Sequence, residues 1–105
     1  MAFLEVHANP NPASRAAIPF LLDIQADLLA GLATRVVVPL YRQEAAPSHP
    51  MARLTPVVEF QGHPYVAMVP ELAGVARHHL GASSGDLGLV RADIIAALDL
   101  LITGI

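Results

Sequence analysis

No cysteine occurs among the 105 residues, which excludes disulfides, thiol catalysis and cysteine metal sites. Lysine is absent as well. The six basic residues, Arg15, Arg35, Arg42, Arg53, Arg77 and Arg91, are all arginine and scattered, and the net charge is −3. Phosphate binding calls for a basic patch or stripe, so the composition argues against nucleic acid as a partner. No apolar run approaches the ~18–20 residues of a membrane span. The opening MAFLEVHANP has no basic segment ahead of its apolar residues, unlike a signal peptide. A cytoplasmic protein without a membrane partner is expected.

What is abundant is apolar side chain. Residues of the AVILMFWYC set make up 54% of the chain, against a usual share of roughly 45–50% even when glycine is counted. At this length the chain reads as a single domain, 1–105, with one modest core. A small domain cannot hide so much apolar surface, so a self-associating face is expected.

The C-terminal stretch 89–105, LVRADIIAALDLLITGI, organises the rest. Val90, Ile94, Leu98, Leu101 and Ile105 fall in one arc of a helical wheel, and Ile95 and Ile102 widen it. The opposite face carries Ala92, Ala96, Asp99 and Thr103, small or polar, with Leu100 outside the main arc. Gly104 suits the position just past a helix end. One face is therefore expected to serve the core, and another either to stay solvated or to meet a partner.

Upstream, the chain alternates. Residues 3–7 (FLEVH) read as a half-buried strand with Leu4 and Val6 on one side and Phe3, Glu5 and His7 on the other. Two prolines in 9–12 make a loop. Residues 18–25 (IPFLLDIQ) are strand-like again, with Leu21, Asp23 and Gln25 opposite Ile18, Phe20, Leu22 and Ile24. The connection 26–33 carries Leu28 and Leu29, which either plug the end of a barrel or form an exposed apolar patch. Residues 34–41 (TRVVVPLY) are apolar on both faces, the pattern of a covered central strand. A loop spans 42–50, functional, mobile or mere spacer. Segments 55–60 and 64–69 read as a hairpin with Gly62 at positive φ. Residues 75–80 suggest a last short strand, and 81–85 (GASSG) a flexible link, with Ser84 or Asp86 as helix N-cap. The sum is a small, mostly antiparallel barrel or sheet with an appended helix.

Catalytic constellations are weak. His78 and His79 are adjacent, and on a strand they would point to opposite faces. His63 and His49 fall in a turn and a loop. Asp23, Asp27, Asp93 and Asp99 show no acid–base spacing, and there is no phosphate loop or serine nucleophile motif. The expectation is a binding module without catalytic residues, metal or cofactor.

Four pieces in register carry a resemblance: FLLDIQADLL (20–29), TRVVVPL (34–40), TPVVEF (55–60) and the terminal helix ending in ITGI. Over essentially its full length the chain resembles the CcdB family, toxins of the CcdA–CcdB type II toxin–antitoxin pairs. The resemblance implies a mainly β domain with one C-terminal α-helix, an SH3-like β-barrel with a small extra antiparallel sheet, forming a homodimer. It also implies a toxin that binds the DNA gyrase A subunit, traps the enzyme on cleaved DNA, and is neutralised by a CcdA-like antitoxin. No residue for the antitoxin follows from it.

The implied gyrase contact comprises Leu28, Leu29, Asp99, Ile102, Thr103, Gly104 and Ile105, with Phe3 beside them. Leu28 and Leu29 match an apolar pair of the family's active surface, which favours patch over plug. Gly104 and Ile105 match the family's ending, whereas Thr103 replaces an aromatic residue, the kind of anchor that dominates interfaces. Two other readings stand. SH3-like barrels also occur in endoribonuclease toxins of the Kid and MazF type, where Arg77, His78 or Asp27 would take acid–base roles. A CcdB relative that has lost gyrase poisoning is the other.

Overall fold

The computed structural model describes residues 2–29, 31–49 and 51–104. Among these residues seven strands precede one α-helix: β1 (Glu5–Ala8), β2 (Phe20–Asp23), β3 (Thr34–Arg42), β4 (Val57–Phe60), β5 (His63–Ala67), β6 (Ala73–Ala76), β7 (Ser83–Asp86) and α1 (Arg91–Thr103). All belong to one antiparallel sheet of order β4-β5-β3-β2-β1-β7, with β6 also on β3. The expected separate small sheet is thus part of a single hydrogen-bonded surface. That surface curls into a half-barrel. Its two ends approach where Gln61 Nε2 donates to the Ser84 carbonyl at 3.1 Å and the Phe60 ring covers Gly85.

β3 is the central strand, as its β-branched run predicts. Its first half pairs with β6 through residues 34–37 and its last residues with β5 through 40–42. Pro39, which has no N–H to donate, falls where the neighbour changes, so that edge loses no ladder bond to it. The β4–β5 hairpin forms as expected. Its turn places both Gln61 and Gly62 at positive φ, 52° and 81°, the primed geometry that matches strand twist.

The core gathers Leu4, Val6, Leu22, Val38, Leu40, Val58, Phe60, Tyr65 and Ile94. Phe20 meets Phe60 and Tyr65 edge-on, with centroids 5.2 and 5.5 Å away, the favoured orientation for aromatic quadrupoles. The first strand's ambiguity resolves on Leu4 and Val6. His7 is buried as well, its Nδ1 3.1 Å from the Gly81 carbonyl.

Several expectations shift. The helix begins at Arg91 after a 3-10 turn at Gly88–Val90. Neither Ser84 nor Asp86 caps it. Asp86 Oδ1 instead accepts from the Gly88 N–H at 2.9 Å, one turn earlier. The buried face of α1 centres on Ile94 and Ala97, with Val90 and Leu98 packed alongside. Leu101 is 37% exposed, so the core-facing arc is shorter than the wheel implies. The small Ala97 lets the helix lie close, and the core ends before Leu101. Ile105 lies outside the described residues.

The expected link 81–85 is in part a strand, since residues 83–86 form β7 on β1. Ser-Ser-Gly-Asp has little strand propensity, and the pairing comes from the exposed edge of β1. Residues 73–76, rather than 75–80, make β6, and Arg77–His79 turn as a 3-10 helix.

Candidate partner-binding surface

Of the implied contact residues, Leu28, Leu29, Asp99, Ile102, Thr103 and Gly104 lie on or directly after two elements. The first is the 3-10 turn Asp27–Leu29, which leaves β2 and buries none of its residues. Leu28 is 93% exposed and Leu29 and Leu32 are about half exposed. The connection is a patch and not a plug.

The second element is α1. Arg91, Ile95, Leu98 and Ile102 follow at four-, three- and four-residue steps and share one face. Ile102 is 75% exposed. Asp99, Thr103 and Gly104 are exposed with it. Thr103 Oγ1 donates back to the Asp99 carbonyl at 2.6 Å. Gly104 ends the helix in the left-handed region at φ 77°, with its N–H on the Leu100 carbonyl at 3.0 Å. The tip is formed by the chain's own capping geometry.

Between the two elements lies a groove of about 440 Å³ lined by Phe3, Ile24, Ala26, Asp27, Arg91, Ile95 and Leu98. Phe3 forms its hinge. The Phe3 N–H donates to Asp27 Oδ1 at 2.6 Å, and the Arg91 guanidinium carbon lies 5.0 Å from the centroid of its ring. The groove's lining is mainly apolar, with one cation and one carboxylate, the common make-up of a recognition site. Phe3 is therefore brought beside the helix and the 27–29 turn. Ile24, Ile95, Leu98 and Arg91 were not among the implied contacts. The signal of the three helix residues in the sequence is the Arg91-Ile95-Leu98-Ile102 spacing.

The acid–base candidates of the ribonuclease reading sit apart. Asp27 lines the groove against α1, whereas Arg77 and His78 lie in the turn after β6 and do not line it. His78 and His79 are exposed, and their rings pack edge-on, centroids 4.2 Å apart. A 3-10 turn brings them together where a strand would hold them apart. Among the described residues no group of three or more His, Asp or Glu forms a metal-binding cluster. None of the helices among them is long and apolar enough to cross a membrane.

The model of the CcdB protein family matches residues 4–104, nearly the whole chain. The chain belongs to the CcdB family. Membership suggests the toxin of a toxin–antitoxin pair, and the match spans both elements that form the surface. Comparison with curated protein sequences gives no match. Among solved structures, the CcdB-family fold seen here is similar to an endoribonuclease in complex with its cognate antitoxin from Mycobacterial species. The TM-score is 0.72 at 13% identity, over 97% of this chain and 94% of that one. At that identity the likeness establishes a shared fold.

Proposed function

We propose that this chain is the toxin of a type II toxin–antitoxin pair that binds the DNA gyrase A subunit and holds gyrase on cleaved DNA. It acts without chemistry of its own, as a homodimer of SH3-like barrels, and a CcdA-like antitoxin neutralises it. The observation that carries the reading is the exposure of Leu28 and Ile102 beside the apolar groove. Large apolar side chains left in water beside a groove are the mark of a surface reserved for a macromolecule. Thr103 stands where the family has an aromatic anchor, and its hydroxyl is turned onto its own helix. Contact area then falls to Ile102, Leu28 and Phe3. A two-fold toxin also suits a two-fold target.

The test is capture of purified gyrase A subunit by the wild-type chain and by Leu28→Asp and Ile102→Asp, with covalent gyrase–DNA complexes counted in parallel. Retention by wild type alone supports the reading. Equal retention by all three sinks it. Size-exclusion chromatography at micromolar concentration tests the dimer, and a clean monomer overturns that part.

A second reading is favoured by the solved neighbour, an endoribonuclease bound to its antitoxin. Under it the chain cuts RNA. Incubation with single-stranded RNA separates the two, since cleavage by the purified chain requires catalysis.

A further inference from the structure

Asp23 and Arg35 form a fully buried ion pair: Arg35 Nε donates to Asp23 Oδ2 at 2.7 Å and Nη2 to Oδ1 at 2.8 Å. Stability alone is a poor reason for such a pair, because desolvation of two charges offsets most of their attraction. Here it is not fully repaid, as Arg35 Nη1 is buried without an acceptor among the described residues. The pair has a further contact. Asp23 Oδ1 accepts the Gln25 N–H at 2.9 Å, and Arg35 Nη2 reaches the Gln25 carbonyl at 3.2 Å. Both polar backbone groups of Gln25 are thereby clamped.

The Gln25 side chain, itself over nine-tenths buried, then does what a strand residue would do. Its Oε1 accepts from the Val36 N–H at 3.0 Å, and its Nε2 donates to the Thr34 carbonyl at 3.2 Å. β2 has already ended at Asp23, so this amide completes the edge of β3 while the backbone leaves the sheet. The same Nε2 donates to the Leu29 carbonyl at 3.2 Å. That carbonyl also accepts from the Leu32 N–H, and the Leu29 N–H is held by the Ala26 carbonyl. Leu29 is the node of the exposed turn, and Gln25 is its tie to the core.

We propose that Gln25, clamped by the Asp23–Arg35 pair, is a positioning residue that fixes the Leu28–Leu29 turn as a preformed contact for the partner. This rests on the reading that the turn meets gyrase A. A loop ordered before binding does not lose its conformational entropy at that step.

The test is a double-mutant cycle on gyrase A affinity with Gln25→Met, which keeps length and loses all three side-chain bonds. The second site is the combined Leu28→Ala and Leu29→Ala change. Gln25→Met is expected to weaken binding about tenfold in the wild-type turn and by less than about twofold once both leucines are gone. Equal losses in both backgrounds, or none in the first, overturn the proposal. Hydrogen exchange gives an answer independent of gyrase. In Gln25→Met the Leu29, Leu32 and Val36 amides should exchange at least about tenfold faster, with those of Val58 and Val66 unchanged. Uniform or absent acceleration overturns the proposal, whereas failure of wild type to bind gyrase A removes only the functional reading. If Gln25→Met does not fold, the wild-type chain decides: slow exchange at Leu29 and Leu32 supports the tie, and unprotected exchange there refutes it.

Discussion

The Arg91 guanidinium lies over the face of the Phe3 ring, 5.0 Å from its centroid, and this contact joins the start of α1 to the residues before β1. Cation–π pairs at exposed sites contribute about 0.5–1 kcal/mol. Arg91→Ala and Phe3→Leu should each lower stability, and the double variant should fall short of the sum by about 0.5–1 kcal/mol. Urea unfolding of the four chains measures that coupling. Additive losses would mean that ring and cation are neighbours without interaction.

At the helix tip, deleting Gly104 and Ile105, or adding a C-terminal tag, should abolish growth arrest and gyrase capture while the circular dichroism spectrum stays unchanged. Thr103→Trp should tighten gyrase binding by about tenfold or more, because a buried tryptophan is among the strongest interface anchors. Leu28→Asp and Ile102→Asp, being surface changes, should leave stability within about 0.5 kcal/mol. A truncated chain that still arrests cells at equal expression would move the toxic surface elsewhere.

Gly81 marks a tight crossing. A Cβ there would stand 2.4 Å from the Ala8 carbonyl oxygen, a backbone atom in a segment pinned by the Ala8 N–H on the Ala82 carbonyl. Gly81→Ala should cost about 1–3 kcal/mol, the range for forced overpacking. Gly74→Ala, in β6 with nothing within 4 Å of its Cβ position, should instead gain a few tenths of a kcal/mol or about 0.5. Chemical denaturation of the pair checks the contrast.

Tyr41 couples stability to alkaline pH. Burial first, and then the hydrogen bond and negative charge of Glu71, push its phenol up from 10.0 to about 12. The folded chain therefore holds this proton where the unfolded chain releases it. The contribution is complete below pH 10 and is lost as pH rises from there through about 12. Between those limits wild type should lose stability more steeply than Tyr41→Phe, followed by urea midpoints at stepped pH. Parallel curves would show that Tyr41 is not the linked group.

Much of the architecture was legible. The β-branched run of β3, the turn at Gly62 and the aliphatic period of α1 are local patterns that period and turn chemistry report directly. β7 was not, because Ser-Ser-Gly-Asp becomes a strand only when β1 offers it an edge. The alternation of 18–25 sets Asp23 and Gln25 with Leu21 opposite the apolar side and does not tell that both are buried. Arg35, twelve residues beyond Asp23, supplies the partner that makes burial of the carboxylate tolerable.

From the sequence alone follow the lack of cysteine among the 105 residues, the central strand, the terminal helix, and the family to which the pattern points. Those depend on composition and on residues within a few positions of one another. Whether Leu28 and Leu29 plug the barrel or face water, which arc of α1 meets the core, and how Phe3 reaches Arg91 were decided by tertiary structure. Each depends on contacts between segments distant in the chain, and local periodicity carries no information about which distant segment covers a given face.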